Sequence, residues 1–346
     1  MLLIISTKND PHVPVLFPPL EHRGISYRWI EPGEFPAGAT VTVEFNRRSV
    51  ARRCVRYDDM PLDLAEVDAV WYRRPSCPSI DPRVTVPDHR RCAVDVSDWC
   101  LLGLADLLGN VRWLPGSPRA EFAASNKIEQ LARAQGLGFR VPRTLVTNDP
   151  AEYLRFSESV GGRLITKLVR YVHGVKGSDD KLHIFFTRPL RRRDKVNYRA
   201  LRYAPMLLQE YVPKWRELRV TVVGRRVFAA VIDSQASSRT KHDWRRYDPF
   251  NNRYEAFSLP ERTEQQCIEL VASYGLRFGA LDLILTPEGE YVFLELNPNG
   301  QWGFIQILTG LPIAEAIVEE LMPSDRPDAA ALLSSRSQEV LDVARV

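Results

Sequence analysis

The sequence predicts a mixed α/β and α+β protein, and three observations carry that expectation. Apolar runs of strand length occur at residues 2–5, 69–72 and 111–114, while residues 88–108 carry apolar side chains at helical spacing. Further along, two pairs of apolar runs flank tight turns, at Gly224-Arg225 and at Pro287-Glu288-Gly289-Glu290, as antiparallel hairpins do. At 346 residues the chain is too long for one simple core and is expected to form two or three domains.

Residues 2–5 read as a buried strand running into a loop at Asp10-Pro11. Residues 69–72 form a second strand that ends at Arg73-Arg74-Pro75, and the helix over 88–108 stops at Gly109-Asn110 before a strand closed by Pro115-Gly116. A small α/β domain thus fills about the first 115 residues. The segment 125–136 has a polar start and a glycine at its end, which is the pattern of a helix. Strand character at 139–147 and helix character at 150–159 follow, and then a strand over 161–169 that carries Lys167 near its far end. Residues 170–178 are basic and contain Gly174 and Gly177. Residues 206–212 make a further strand or hinge, and the two hairpins and a helix from Pro312 to about Met322 complete the order. Thr309-Gly310 and Asn299-Gly300 read as brackets of a short connection, and no internal repeat is present.

With 45% hydrophobic and 26% charged residues, the composition is that of an ordinary globular protein. No apolar stretch approaches the roughly 18 residues of a membrane span, and the first residues lack the basic lead of a signal peptide, so a cytoplasmic protein is expected. The five cysteines are odd in number and form no C-x-x-C pair, as expected of reduced thiols. The net charge of +4 is modest but uneven: residues 188–202 hold seven Lys or Arg against the single acid Asp194. Such a run attracts an acidic chain or is simply a solvated face.

The second hairpin carries the chemistry. If Glu288-Gly289 is a two-residue loop, Pro287 faces Glu290 and counting outward sets Asp282 opposite Glu295. Alternation then places Asn297 on the face of Glu295. Facing like charges disfavour pairing by up to about 1 kcal/mol, so a cation or a proton is needed between them. Two carboxylates and an amide oxygen form a hard, oxygen-rich set suited to Mg²⁺.

This order of parts resembles the ATP-grasp ligases, in which two α+β lobes hold ATP between them. Lys127 and Lys167 match the family's phosphate-binding lysines, and Gln209-Glu210-Tyr211-Val212 matches the hinge whose backbone reads adenine. Glu217, seven residues beyond Glu210, matches the ribose-binding carboxylate. Asp282, Glu295 and Asn297, separated by thirteen and two residues, match the metal ligands. The resemblance implies a pre-ATP-grasp domain over 1–118, a central lobe over 119–207 with a phosphate lid at Gly174–Gly177 and a C-terminal lobe over 208–325, while the Ser, Asp, Pro and Ala of the tail over 326–346 predict weak order or one loose helix. It also implies ATP and Mg²⁺ as cofactors and carboxylate activation through an acylphosphate. Arg219 and Arg245 are the candidate cations for the transferring phosphate.

A narrower resemblance rests on residues 70–75, on His242-Asp243-Trp244-Arg245 and on residues 295–302. These are similar to the graspetide synthetases, which cyclise ribosomal peptides by joining Asp or Glu side chains to Thr or Ser hydroxyls as ω-esters, or to Lys amines as ω-amides. The implied partners are a precursor peptide and a second copy of the chain, with neither nucleic acid nor membrane. Arg73, Arg74, Arg192 and Arg246 offer contacts for the acidic peptide, although Arg73-Arg74 equally suits a helix cap or a domain bridge. His173, His242 and Asp243 are possible bases for the acceptor hydroxyl, and Asp243 equally suits the orienting of Arg245. Two other readings stand beside this one: a carboxylate–amine ligase acting on a peptide tail or a small metabolite, and a nucleotide-fold module that binds acidic partners or nucleic acid without turnover.

Overall fold

The computed structural model describes residues 1–57, 60–109, 111–169, 175–176, 180–183, 186–190, 194, 196–246, 248 and 250–323. Gly174, Gly177, His173, Arg192 and the tail from residue 326 lie outside the described residues.

The N-terminal region runs β1 (Leu2–Ile5), α1 (Val13–His22), β2 (Tyr27–Ile30), β3 (Ala39–Phe45), β4 (Val50–Tyr57), β5 (Met60–Asp63), β6 (Ala69–Tyr72), α2 (Pro87–Leu108) and β7 (Arg112–Leu114). Strands β2, β1, β6 and β7 form a parallel sheet in that order, and β3, β4 and β5 form an antiparallel sheet beside it. Covering on both faces explains the unbroken apolar runs of β1 and β6. Leu2 and Ile4 enter one core, whereas Leu3 enters a second core with Val55, Val70 and Leu108. Helix α1 and the β3–β5 sheet carry no strong signal in the sequence. The first contains Pro18 and Pro19 within its span, and the second is largely exposed.

Helices α3 (Pro118–Ala124) and α4 (Lys127–Gly136) follow, with Asn126 capping α4 through the Ile128 and Glu129 amides. Their apolar residues Ala124, Leu131 and Ala134 pack into the core of the C-terminal sheet. The central lobe comprises β8 (Thr144–Thr147), α5 (Pro150–Ser159), β9 (Leu164–Lys167), β10 (Val175–Lys176), β11 (Leu182–His183), β12 (Arg188–Pro189) and β13 (Met206–Glu210). Its sheet runs β12-β9-β13-β8, and it has a core of its own built on Tyr153, Phe156, Leu164, Leu201 and Leu208. Strand β13 crosses the boundary expected at 207/208.

The C-terminal lobe comprises β14 (Arg216–Val223), β15 (Arg226–Ile232), β16 (Tyr254–Phe257), α6 (Glu261–Ala272), β17 (Phe278–Leu285), β18 (Tyr291–Asn297), α7 (Gly303–Thr309) and α8 (Ile313–Leu321). Its antiparallel sheet runs β16-β15-β14-β17-β18. The turn Gly224-Arg225 joins Val223 to Arg226 as expected from sequence. The connection read between Asn299 and Gly310 holds the short helix α7, ended by Gly310 in the left-handed conformation (φ 73°), where a side chain would be strained. Side chains of α8 and Trp302 share one core with β1, α1 and Trp71 of the N-terminal sheet. The first and last regions of the chain are therefore a single packed body, and the central lobe is a second one.

The outer edge of β18 is covered by α4. Gln130 acts there as a strand mimic: its Nε2 donates to Leu296 O at 2.8 Å and its Oε1 accepts from Leu296 N at 2.9 Å. Lys127 lies one turn earlier on the same helix and is thereby carried to Glu295. Replacing Gln130 by leucine orphans both backbone groups. We expect Gln130→Leu to lower the unfolding free energy by about 1–3 kcal/mol in urea titration, whereas Gln265→Leu on the exposed face of α6 should change it little.

Candidate active site

The register of β17 and β18 sets the site. Their connection is the three-residue loop Pro287-Glu288-Gly289, in which Thr286 N donates to Glu290 O and Gly289, at φ 84°, donates back to Thr286 O. The two-residue loop expected from sequence is thus corrected, and the strands leave the turn with Leu285 opposite Tyr291 and Leu283 opposite Phe293. Continued without change, that register would set Asp282 against Leu294 and send Glu295 to the other face. A bulge intervenes: Leu294 is the extra residue, and beyond it Asp282 faces Glu295 and Ala280 faces Asn297. The expected pairing therefore holds, through two offsetting shifts. One consequence is that Leu294 and Glu295, though consecutive, both line the cleft.

Asp282 and Glu295 are each 5% exposed. Cations surround them. Lys127 Nζ lies 2.6 Å from Glu295 Oε2, Arg219 Nη1 lies 3.0 Å from Asp282 Oδ1, and Arg245 Nη1 lies 3.9 Å from Glu295 Oε1. Burial tends to raise the Glu295 carboxyl, but Lys127, Arg245 and Lys167 outweigh it and hold the group well below its ordinary range. Asp282 is pushed up to about 6 by burial and by Glu295, against the pull of Arg219. Asn297 Nδ2 sits 3.3 Å from Asp282 Oδ2 and 3.4 Å from Glu295 Oε1. The three side chains converge as an all-oxygen donor set once the amide is turned over, an assignment that hydrogen bonding alone decides. That chemistry fits a hard divalent cation such as Mg²⁺.

Lys167 ends β9 and faces this pair from the central lobe. Burial lowers its ammonium to about 8, with Glu295 opposing. Arg245 is aimed by Asp243, which receives Arg245 Nε at 2.8 Å and Nη2 at 2.6 Å and also accepts Thr187 N at 2.8 Å. Burial tends to raise the Asp243 carboxyl, but the Arg245 pairing and the Thr187 bond win and lower it. It is thus a carboxylate already committed as an acceptor, and of the two roles the sequence left open for it the geometry matches the orienting of Arg245.

The other end of the cleft is apolar and hinge-like. Glu210, Tyr211 and Val212 line it, and Val212 clusters with Ile284, Val292 and Leu294. Tyr211 meets the His242 ring edge-on at 5.9 Å. Glu217 also lines the cleft, with its Oε1 2.7 Å from Lys214 Nζ and both side chains 5% exposed. Lys214 was missed in the sequence, although its i,i+3 spacing to Glu217 was a usable signal; Leu294 had no signal, because only the bulge turns it inward.

Several residues read from sequence sit elsewhere. Arg219 is 3% exposed and lies outside the cleft lining, clamped between Asp282 and Gln301 O (2.9 Å) beneath the Trp244 ring, so its guanidinium is committed to Asp282 and the loop. Arg73 is 1% exposed and pairs with Asp10, which corrects its reading as an open fork for the peptide. Arg74 is exposed at φ 40°, and Arg246 is exposed with its guanidinium over Phe186. Gln209 is buried, with Nε2 donating to Thr144 Oγ1. In the basic run, Arg188 is tied to Asp194, while Arg199 and Arg202 are exposed.

No family model and no curated protein matches the chain. Solved structures do. The macrocyclase MdnB from Microcystis aeruginosa MRC is 31% identical, with a TM-score of 0.78, over 93% of this chain and 99% of that one. MdnC from the same organism, bound with precursor peptide MdnA, is 28% identical with a TM-score of 0.81, over 93% and 99%. A RiPP-associated ATP-grasp ligase from Chryseobacterium gregarium, in complex with ADP and a leader and core peptide, is 27% identical with a TM-score of 0.84, over 92% and 96%. The two lobes and the cleft they line are those of an ATP-grasp ligase. Within that class the chain belongs to the graspetide synthetases, the macrocyclase family of ribosomal peptide maturation.

The buried Lys214–Glu217 pair gives a direct check on the apolar end. Lys214→Met strands a buried carboxylate and should destabilise the protein by about 3–5 kcal/mol. In chemical denaturation the Lys214→Met/Glu217→Met double variant should recover most of that loss.

Proposed function

We propose that this protein is an ATP-dependent macrocyclase of a ribosomally made precursor peptide, which activates Asp or Glu side chains of the peptide and joins them to Thr or Ser hydroxyls as ω-esters or to Lys amines as ω-amides. The observation that carries this reading is the cleft itself. It holds an apolar, hinge-lined end and, at the other end, Lys167, Arg245 and a buried facing pair of carboxylates. Adenine suits the pocket of Val212, Ile284 and Leu294 with the hinge backbone at its edge, and Glu217 suits the ribose hydroxyls. The phosphates then lie toward Lys167 and Lys127. Asp282, Glu295 and Asn297 would hold Mg²⁺, which supplies neutralisation of phosphate charge when bound.

The first chemical obstacle is repulsion between the substrate carboxylate and the triphosphate. Lys167 and Arg245 meet it with fixed cations in a partly dry cleft, where charge stabilisation is stronger than in water. Asp243 keeps the Arg245 fork in one orientation, so little reorganisation accompanies charge transfer. A carboxylate oxygen of the peptide attacks the γ-phosphorus, the bond to the β,γ-bridging oxygen breaks and ADP leaves, giving an acylphosphate. The acceptor oxygen or nitrogen then attacks the acyl carbon, loses its proton and releases phosphate. An acidic peptide partner is supported by the exposed arginines Arg74, Arg199, Arg202 and Arg246, and by the peptide-bound MdnC and C. gregarium relatives.

Incubation with ATP, Mg²⁺ and a candidate precursor peptide, read by mass spectrometry, tests the proposal. One water mass should be lost per ring, with ADP formed in step. Glu295→Gln and Arg245→Met should each lower turnover by at least about 100-fold, the scale of losing one preorganised charge-stabilising group, while thermal unfolding shows the fold retained. An unchanged peptide mass with ADP release would instead indicate a different acceptor.

A further inference from the structure

Among the described residues none of the N-terminal region lines the cleft, yet a buried polar cluster ties that region to the loop behind the carboxylate pair. Asp10, His12 and Arg73 are each at most 6% exposed. Asp10 Oδ2 lies 2.9 Å from Arg73 Nε and accepts Ser6 Oγ at 2.9 Å, and Asp10 Oδ1 lies 2.9 Å from His12 Nδ1. Arg73 Nη2 also lies 3.0 Å from His12 Nδ1, but the tautomer with Nδ1–H donating to Asp10 and a bare Nε2 serves both Asp10 Oδ1, which can only accept, and Trp302 N, which donates to Nε2 at 3.3 Å. Arg73 Nη1 reaches Gly300 O at 3.3 Å and Asn299 O at 3.4 Å. The neutral ring this requires agrees with burial lowering the His12 pKa.

The loop held from this side is gripped from the other by Arg219, whose Nη2 and Nε donate to Gln301 O and whose Nη1 holds Asp282. The loop has no slack: a Cβ at Gly300 would overlap Arg219 Nη2 and the Ala280 side chain, and one at Gly303 would press on the His12 ring at 3.1 Å. Burying an Asp–Arg pair with a histidine costs several kcal/mol of lost hydration. An apolar filling would serve stability as well, so the polar cluster is explained by what it orients.

We infer that Asp10, His12 and Arg73 are positioning residues for the metal site, fixing Asp282 through the 299–302 loop and Arg219. The inference rests on the magnesium–nucleotide reading above. It assigns the N-terminal region a part in binding Mg²⁺ that its sequence does not announce: Asp10 and His12 precede Asp282 by more than 250 residues and touch none of the three ligands.

Calorimetric titration of ADP with and without Mg²⁺, on wild type, Arg73→Met, Arg73→Lys and His12→Phe, tests it. Amide exchange at 299–302 is followed in the same proteins without ligand. The Mg²⁺-dependent gain in ADP affinity should fall by about 10-fold in Arg73→Met and His12→Phe, the scale on which groups behind metal ligands act. ADP affinity without Mg²⁺ should stay within twofold, exchange at 299–302 should quicken, and Arg73→Lys should recover part of the loss. If Arg73→Met does not fold, His12→Phe decides, because its ring can keep the packing that His12 makes on Trp302 at 5.2 Å. Folded variants with wild-type Mg²⁺ dependence overturn the inference. Absence of any Mg²⁺-dependent gain in wild type overturns the metal reading together with it, and that result is distinguishable because it appears before any substitution is made.

Discussion

Two carboxylates held face to face in a buried strand pair are the constraint around which this molecule is arranged. Asp282 and Glu295 cannot both be charged in a dry sheet without partners, and the fold brings those partners from four separate places: Lys127 on α4, Lys167 on β9, Arg219 on β14 and Arg245 beyond β15. Three of these four are themselves fixed by polar contacts. Gln130 stitches α4 to β18, Gln301 O and Asp282 grip Arg219, and Asp243 forks Arg245. The contacts that place these cations are thus also those that keep the anionic pair charged.

Much of this was legible because it depends on local periodicity. Alternation from the Pro287–Glu290 turn brings Asp282 to Glu295, and Glu217 and Arg219 fall on one buried strand whose turn at Gly224-Arg225 is where its residues demand it. The pairing is read correctly from a two-residue loop that the protein does not use, because the additional loop residue and the Leu294 bulge cancel. A bulge leaves no compositional trace in a Leu-rich strand, so the inward turn of Leu294 could not be read. Arginines were the other blind spot. Arg73, Arg219 and Arg245 look alike in sequence, but an arginine's role is decided by what lies behind it, and that is a long-range property: Asp10 for the first, Asp282 for the second, Asp243 for the third.

The distribution of cores explains why the site lies where it does. Side chains from β1, α1, Trp302 and α8 form one continuous core, so the N-terminal sheet and the lobe that carries the carboxylate pair share a body, while the central lobe closes on its own core of Tyr153, Phe156, Leu164, Leu201 and Leu208. A cleft between two separately packed bodies needs groups from each, and it has them: Lys167 comes from the central lobe and the carboxylate pair from the other. The hinge residues Glu210, Tyr211 and Val212 sit where the chain passes between the bodies, and the Glu210 and Tyr211 amides anchor that passage by donating to Arg143 O (3.0 Å) and Arg163 O (2.9 Å).

Charge balance then shows why fixed cations alone do not finish the site. Lys127, Lys167, Arg219 and Arg245 face Asp282, Glu295 and Asp243, leaving the inner cleft with a single positive charge in excess when all are ionised; Arg73 and Asp10 cancel behind it. One charge in excess attracts a polyphosphate but does not neutralise it. Adding lysines would not correct this, since each new ammonium beside Lys167 would lower the others further, as burial and Lys127 already do. On the proposed reading, a divalent ion held by the carboxylates would avoid that limit, because its charge would be shared between the anionic pair and the phosphates. On that reading the facing carboxylates are a receptacle for charge delivered with the nucleotide, and the surrounding cations are what keep the pair ionised until it arrives.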